Sequence, residues 1–260
     1  MSDEILKFEV LDGVATVTLN RPERKNALSI DLCNGLSDIW ESIDANDDVK
    51  VIILTSTDCG VFCAGLDLKE ANEVMTRDGA DILTYMRDPM HQKMRDVKKP
   101  IIAAMTGHLM AGGMLLALNS DLRVGLSGTK VGITEVKIGR GSPWAVPLLW
   151  MLPQPILMEL VLTGDLMEIE KLNQYGFLNY LEDTPDAVRA RAMKLARAVA
   201  SGAPLSVLGA KASVLAAMDL GCTEGFEKSL ELYKAAYASE DAREGPRAFA
   251  EKRAPVWKGK

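Results

Sequence analysis

Two short stretches place small residues where a predicted strand gives way to a predicted helix, "CAGLD" at 63–67 and "GHLMAGGM" at 107–114. Helix-initial N–H groups have no intrahelical partner and carry the positive end of the helix dipole. A carbonyl oxygen held between two such amides is stabilised as it gains negative charge, and one donor is worth roughly 3 kcal/mol. Each stretch also has a structural explanation: close helix–sheet packing for the glycines, and a turn in which Gly65 supplies an unusual φ and Asp67 caps the helix. The stretches alone leave both explanations open.

The chain offers few side chains for metal or triad chemistry. It has only two histidines, His91 and His108, which excludes most His-based metal sites and argues against a Ser-His-Asp triad. His108 follows Gly107 at the end of a predicted strand, and we predict a local structural role for it. The four cysteines lack paired metal-ligand spacing, and Cys59 and Cys63 are interpreted as small hydrophobic residues flanking a turn. No metal site is predicted.

Composition bounds the partners and the compartment. The chain has 260 residues, of which 48% are hydrophobic, and a formal net charge of -6, which argues against nucleic acid as the main partner. A few local Lys or Arg residues would still suffice to bind a phosphorylated small molecule. The acidic start "MSDEILKFEV" lacks a signal-peptide core and predicts a cytoplasmic protein with reduced cysteines. The apolar tract 143–162 is broken by prolines and polar residues, which favours two buried helical segments over a membrane span.

The coarse pattern of elements predicts an α/β protein. Strands are predicted at 13–20, 51–56, 100–107, 121–125 and 130–133, and helices at 27–43 and from 110 to 118. Such alternation favours a largely parallel sheet with helices packed outside it. Beyond about residue 186 the pattern is entirely helical. We therefore predict a core at 1–185 and a helical region at 186–260 that docks on the core or on another subunit.

Several motifs in a fixed order resemble those of the crotonase (enoyl-CoA hydratase/isomerase) superfamily over nearly the whole chain. They are "VTLNRPERKNALS", "VFCAGLDLKE", "PIIAAMTGHLMAGGMLLAL", "ITEVKIGRG" and "AFAEKRAPVWKG". The resemblance implies a crotonase-like spiral of ββα units, followed by a helical region that forms trimers, commonly paired into hexamers. An apolar stripe in the tail is expected to form that interface; it comprises Phe226, Leu230, Leu232, Tyr233, Phe249 and Trp257.

The resemblance also implies a substrate, an acyl-coenzyme A thioester, and the residues that bind it. The two oxyanion amides match Leu66 and Gly112, so their side chains matter little for the chemistry. Coenzyme A enters as part of the substrate, and no separate cofactor is expected. The matching coenzyme A contacts are Arg24, Ala64 against the adenine, Lys69 and, from a neighbouring subunit, Phe249 and Lys252. Without the resemblance, Arg24, Lys69 and Lys252 would be interpreted as solvent-exposed surface residues.

Departures from the family pattern bear on the reaction. A family hydratase uses two glutamates, and this chain has Leu115 at the first position and Glu135 at the second. We expect Glu135 to enter an apolar pocket between Ile133 and Val136, where burial raises its pKa toward neutrality. A glycine amide that helps to place water falls at or near Pro143, which has no N–H. Both changes remove groups that handle water.

One base with an oxyanion hole suits a 1,3-proton shift, in which Glu135 moves both protons and converts a 3-enoyl-CoA to the conjugated 2-enoyl-CoA. The alternatives are a one-glutamate hydratase or dehydratase acting on an unusual acyl group, decarboxylation, thioester hydrolysis, or a member that binds acyl-CoA without catalysis. Leu66, Leu115 and Trp144 indicate apolar surroundings for the acyl group. They do not fix its length or shape.

Overall fold

The computed structural model describes residues 4–260, which form ten strands and eleven α-helices arranged around two sheets. The strands are β1 (Leu6–Leu11), β2 (Val14–Leu19), β3 (Val51–Ser56), β4 (Val61–Cys63), β5 (Ile101–Met105), β6 (His108–Met110), β7 (Leu122–Leu126), β8 (Lys130–Gly132), β9 (Met167–Glu168) and β10 (Tyr180–Glu182). The helices are α1 (Ile30–Asp44), α2 (Leu68–Asp78), α3 (His91–Asp96), α4 (Gly112–Leu118), α5 (Gln154–Thr163), α6 (Ile169–Gln174), α7 (Pro185–Ala200), α8 (Pro204–Leu220), α9 (Cys222–Leu232), α10 (Lys234–Ala238) and α11 (Asp241–Ala250).

The larger sheet has the order β1-β2-β3-β5-β7-β10 and is parallel except for the β1–β2 pair. The smaller sheet has the order β4-β6-β8-β9, with β9 antiparallel to β8. Three successive strand pairs, β3/β4, β5/β6 and β7/β8, each give one strand to each sheet. The chain therefore repeats the same two-sheet step, as the predicted spiral requires.

Local sequence explains where the main elements form. The strands β3 and β5 lie between neighbours in the larger sheet and are buried along their whole length, which accounts for their continuous apolar runs. Helix α1 begins after Ser29, whose side chain accepts a hydrogen bond from the Leu32 amide at 3.2 Å. Asp67 caps α2 in the same way through the Glu70 amide at 3.3 Å. The predicted strands at 13–20 and 51–56 and the helix at 27–43 are confirmed within a few residues.

The core has one layer on each face of the larger sheet. On one face, Trp40, Phe62 and Phe177 are the largest fully buried side chains of the main apolar cluster. On the other face, α7 packs Val188, Ala192 and Ala196 against apolar side chains of the sheet. Helix α7 is the first of the C-terminal region, so that region starts as part of the core. The division into parts at residue 185 remains a prediction.

Three expectations about single segments are corrected. The tract 143–162 does form two helical pieces, a 3-10 helix at Pro143–Trp150 and α5, but it is not fully buried, because Trp150 is 59% exposed. Met110 belongs to β6, and the helix predicted from that residue begins at Gly112. Cys59 is exposed, so its interpretation as a small packed hydrophobic residue is wrong. Cys63 is buried as expected, and burial raises its pKa to about 12.

Two further findings concern the part of the chain from residue 4 onward. No single helix there is long and apolar enough to cross a membrane, and the one pair that passes by length and composition, α7 with α8, is bent by 111°. His108 Nδ1 accepts a hydrogen bond from the Lys130 amide at 2.8 Å, which confirms its predicted local structural role.

Candidate active site

The first small-residue turn leaves one backbone amide free. Gly65, at φ 84°, accepts a hydrogen bond at its carbonyl from the Leu28 amide at 2.8 Å, and the Asp67 amide donates to the Leu28 carbonyl at 2.9 Å. Between these two bonds, the Leu66 N–H is directed away from Leu28, as alternation along an extended segment requires. Among the loop and cap hydrogen bonds of residues 4–260, none uses the Leu66 N–H.

The second turn exposes another amide through an unusual backbone conformation. Ala111 has φ 49° and ψ -111°, a region that non-glycine residues rarely occupy, and its N–H donates to the Gly132 carbonyl at 2.9 Å. Helix α4 then begins at Gly112, whose N–H lies in the first turn and has no intrahelical acceptor. A Cβ on Gly65 would lie only 2.8 Å from the Ala111 Cβ. The two turns therefore pack directly against each other.

Both turns line one cavity of about 390 Å³. Its wall includes Ala64, Leu66, Gly112 and Glu135, so the three predicted catalytic residues lie around a single space. Much of the remaining wall is apolar and is formed by Leu28, Cys33, Leu68, Leu83, Met86, Pro89, Met90, Ala111, Leu115, Ile138 and Trp144. The apolar surroundings expected for the acyl group are present.

Glu135 is the buried carboxylic acid of this cavity. It opens a 3-10 helix, Glu135–Ile138, and its carbonyl accepts a hydrogen bond from the Arg140 amide at 3.0 Å. The residue is 8% exposed, and its Oε2 atom has no hydrogen-bond partner among the described residues. Burial raises the pKa of Glu135, and the nearby Trp144 and Arg140 oppose that rise less strongly. A carboxylate in this position gains stability when it takes a proton.

The surroundings of Glu135 are apolar, as predicted, but one of the two residues expected to form them does not. Ile133 is buried, but Val136 is half exposed and lies outside the cavity wall, because the tight 3-10 turn directs it to the surface. Leu115, three residues after Gly112 on α4, is 3% exposed and lines the cavity. Pro143 begins the next 3-10 helix and is not part of the wall, whereas its neighbour Trp144 is.

The predicted coenzyme A contacts fall in two places. Ala64 lies on the cavity wall, and its N–H donates to the Lys25 carbonyl at 3.1 Å, which holds the loop of Arg24 beside this turn. Arg24 is exposed. Burial opposes a lower pKa for Asp67, but the hydrogen bond from Arg21 lowers that pKa, and the charge of Arg24 adds a smaller contribution. Lys69 is exposed in the first turn of α2. The ligand contacts of these residues remain predictions.

Phe249 lies in the last turn of α11 and Lys252 lies two residues after the helix, and neither is part of the cavity wall. Phe249 is 87% exposed. The tail that follows is fastened to α11, since the buried Glu244 carboxylate accepts hydrogen bonds from Arg253 and from the Val256 amide at 2.9 Å. These hydrogen bonds hold the segment in one conformation. That Phe249 and Lys252 contact coenzyme A in a neighbouring subunit remains a prediction.

The structure adds polar residues that sequence reasoning did not place in the site. Arg87, Asp88, His91 and Arg140 all line the cavity. The signal for Asp88 and His91 was their spacing of three residues at a helix start, which brings an acceptor to an imidazole. Arg140 makes two hydrogen bonds to the Asp81 carboxylate, at 2.8 and 2.6 Å. Within residues 4–260, no group of three or more potential ligands could hold a metal ion.

Two residues with free backbone amides and a buried carboxyl line one apolar cavity, and groups of these kinds can stabilise negative charge on a carbonyl oxygen and move a proton nearby. Residues 9–260 match the family model described as "Enoyl-CoA hydratase/isomerase", and the chain belongs to that family. This confirms the predicted superfamily and identifies the chain as an acyl-CoA enzyme of the crotonase superfamily.

Relatives and solved structures agree with this assignment. The chain is 35% identical to (E)-benzylidenesuccinyl-CoA hydratase of Thauera aromatica, over 97% of this chain and 98% of the relative. It is 31% identical to carnitinyl-CoA dehydratase of Citrobacter koseri, over 99% of each. The crystal structure of an enoyl-CoA hydratase from Mycobacterium tuberculosis superposes with a TM-score of 0.87 at 32% identity, covering 98% of this chain and 99% of that chain. For an enoyl-CoA hydratase from Bacillus anthracis the TM-score is 0.91 at 27% identity, over 99% of this chain and 100% of that chain. The predicted crotonase-like α/β fold is confirmed.

Proposed function

We propose that this enzyme converts a 3-enoyl-CoA to the conjugated 2-enoyl-CoA. The observation that carries the proposal is the pairing of one buried carboxyl, Glu135, with the Leu66 and Gly112 amides around a cavity in which Leu115 occupies the position of the family hydratase's first glutamate. Glu135 takes a proton from the α-carbon, and negative charge develops on the thioester oxygen between the two amides. The double bond moves into conjugation, and a proton enters at the γ-carbon.

The electrostatics of the cavity favour this step. Burial raises the pKa of Glu135, which brings its proton affinity closer to that of an α-carbon acid being activated by the two amides. Each amide donor is typically worth roughly 3 kcal/mol to the developing oxyanion, because it is fixed in place before the reaction. The orphaned Oε2 atom of Glu135 is the natural acceptor for the proton.

Binding and assembly belong to the same proposal. Coenzyme A is part of the substrate, and its contacts are Arg24, Ala64 and Lys69, with Phe249 and Lys252 from a neighbouring subunit. A homotrimer or a hexamer is supported by the exposed Phe226, Leu230 and Phe249. The other residues of the predicted stripe are half buried within their own chain; these are Leu232, Tyr233 and Trp257. We also propose a cytoplasmic location, with neither nucleic acid nor membrane as a partner.

Hydration or dehydration is the second candidate. It is favoured by the names of two relatives, (E)-benzylidenesuccinyl-CoA hydratase and carnitinyl-CoA dehydratase. It requires a group that handles water at the β-carbon, and Leu115 and Pro143 supply none.

A panel of 3-enoyl-CoA and 2-enoyl-CoA esters separates the two candidates. Conjugation raises the ultraviolet absorbance of the thioester, and hydration lowers it. We expect conjugation of the 3-enoyl esters to be faster than hydration of the products. Rapid hydration, without isomerisation of any 3-enoyl chain, would overturn the isomerase proposal and support the second candidate.

A further inference from the structure

One wall of the cavity is a short segment, residues 87–91, that is fastened to α1. The indole Nε1 of the fully buried Trp40 donates to the Pro89 carbonyl at 2.9 Å. The Arg87 backbone amide donates to Asn34 Oδ1 at 2.8 Å, and its guanidinium donates to the Asn34 carbonyl at 2.8 Å. Three hydrogen bonds between α1 and this segment therefore fix the position of a loop that lines the active-site cavity.

Within this segment, Asp88 orients the imidazole of His91. Asp88 Oδ1 accepts hydrogen bonds from the Met90 amide at 2.8 Å and the His91 amide at 3.2 Å, and its Oδ2 contacts His91 Nδ1. Burial would raise the pKa of Asp88, but the hydrogen bonds from His91 and the two amides outweigh it and lower that pKa. Because Asp88 occupies Nδ1, Nε2 is the ring nitrogen left to exchange a proton with a ligand.

The proposed reaction removes a proton from one carbon and adds a proton to another. The cavity wall has one buried carboxyl with an oxygen that lacks a hydrogen-bond partner within residues 4–260. Glu135 provides that carboxyl. The position at which a family hydratase has its other glutamate is the apolar Leu115. Cys33 also lines the cavity, but burial raises the pKa of its thiol so strongly that it is inert at neutral pH. Among the described wall residues, His91 with Asp88 is the remaining arrangement suited to proton transfer.

We propose that His91 is a second proton-transfer residue of this site, acting at the γ-carbon, whereas Glu135 takes a proton from the α-carbon. The inference rests on the proposed function and replaces the expectation that Glu135 moves both protons. Glu135 receives the α-proton, and the electrons of that C–H bond form the α,β double bond. The electrons of the β,γ double bond form a new C–H bond at the γ-carbon, with the proton from His91 Nε2. His91 becomes neutral, with its Nδ1 proton held by Asp88, and solvent restores both groups.

Isotope labelling tests the separate proton routes. With a 3-enoyl-CoA deuterated at the α-carbon and turned over in ordinary water, we expect no deuterium at the γ-carbon of the product. In deuterated water we expect one solvent deuterium at the γ-carbon for each turnover. Transfer of the α-deuterium to the γ-carbon would show that Glu135 alone shuttles the proton and would overturn the proposal.

Variants test the residue itself. His91→Gln should lower turnover roughly 100-fold or more, while exchange of the α-proton of a saturated acyl-CoA, which needs only Glu135, stays within about threefold of wild type. Asp88→Asn should lower turnover in the same direction. Gln92→Ala is the matched control, because Gln92 is the next residue on α3 and lies outside the cavity wall.

Three results separate this inference from the proposed function. Wild-type turnover by His91→Gln would overturn the role of His91, and so would an equal loss of exchange and turnover, which would mark a structural role. If the wild type exchanges α-protons but conjugates no 3-enoyl chain, the isomerase proposal fails. The same variants are then measured on hydration of a 2-enoyl-CoA, where lost turnover with retained exchange supports His91 and unchanged turnover overturns it.

Discussion

Gly65 and Gly112 lie so close together that a Cβ built on Gly65 would sit 3.2 Å from the Gly112 amide nitrogen. The two residues belong to turns that follow β4 and β6, neighbouring strands of the smaller sheet. This contact brings the Leu66 and Gly112 amides to one rim of the cavity. In the proposed function, this is where the carbonyl oxygen of the thioester binds.

Replacing Gly112 with proline removes one of these donors. A side chain at this position would bring its Cβ to 2.4 Å from Leu28 Cδ1, so any substitution disturbs packing. Gly112→Ala is therefore the matched control, because it adds the same Cβ and keeps the N–H. We expect Gly112→Pro to be slower than Gly112→Ala by roughly 100-fold or more in kcat, with a much smaller difference in acyl-CoA affinity. Equal kcat values for two folded variants would contradict the assignment of this amide.

Glu135→Gln keeps the shape of the side chain and removes the base. We expect isomerisation and α-proton exchange to fall by about 100-fold or more, with acyl-CoA binding largely retained in a calorimetric titration. An unchanged exchange rate in deuterated water would show that another group abstracts the proton. The conservative Glu135→Asp variant, which retains a carboxyl, should keep part of the activity.

The pH dependence of Glu135 has a defined sign. Because burial raises the pKa of this carboxyl, its unionised form is favoured in the folded protein. Glu135 contributes its full stabilisation at pH values below the ordinary carboxyl pKa of the unfolded chain. This stabilisation is lost as the pH rises through the higher pKa of the folded protein. We therefore expect Glu135→Gln to have the higher Tm at pH 8, with the difference shrinking toward pH 4. Turnover by the wild type should rise with pH through the same raised pKa. A Tm difference that does not change with pH would contradict the burial of a charged carboxylate.

Leu115→Glu places a second carboxyl on the cavity wall. Leu115 is almost fully buried, so the new group costs stability, of the order of 1 kcal/mol or more, and Tm should fall. We expect hydration of a 2-enoyl-CoA to rise relative to isomerisation, because a carboxylate can hold and activate water. Leu115→Met, which keeps the wall apolar, serves as the control. An unchanged ratio of the two activities would show that this position does not control the fate of water.

Ala111 occupies a backbone region that favours glycine, with φ 49° and ψ -111°. Ala111→Gly should therefore relieve strain of about 1–3 kcal/mol, offset by about 0.4–1 kcal/mol of added unfolded-state entropy. We expect a net rise in the free energy of unfolding of about 1 kcal/mol, measured by urea denaturation. Ala71→Gly, within α2, is the control and should lower the free energy of unfolding by about 1 kcal/mol. Equal destabilisation by both variants would contradict the strained conformation.

The assembly proposal predicts the effect of charge on the exposed tail helices. Phe226 is 65% exposed on α9, and Phe226→Asp should convert a trimer or hexamer to smaller species in sedimentation velocity. Leu11→Asp, at an exposed residue of β1, is the control and should leave the sedimentation coefficient unchanged. A stable, fully active wild-type monomer at micromolar concentration would contradict the assembly proposal.

Sequence reasoning reached most of the fold and part of the site, for physical reasons. Buried strands such as β3 and the turns at Gly65 and Gly112 leave local signals, namely apolar runs and small residues. The strands β4 and β6 have three residues each and are stabilised mainly by their neighbours, so they left no signal of their own. The outward direction of Val136 depends on a 3-10 turn that the pattern did not predict.

His91 and Arg140 illustrate the larger limit. Their place in the cavity depends on contacts between segments far apart in the chain, such as the Trp40 hydrogen bond to Pro89 and the Arg140 pair with Asp81. No local pattern encodes such contacts. The signal that was available, Asp88 followed three residues later by His91, becomes informative only when the segment is known to face the cavity.

The backbone origin of the Leu66 and Gly112 donors has an evolutionary consequence. Only a mutation to proline removes a backbone N–H, so under the proposed function most substitutions of Leu66 keep the donor that activates the thioester. The side chains at positions 91, 115 and 135 have no such protection and can vary one at a time. A lineage with this architecture can therefore acquire a new reaction by exchanging one or two side chains, without losing its ability to activate the substrate during the transition.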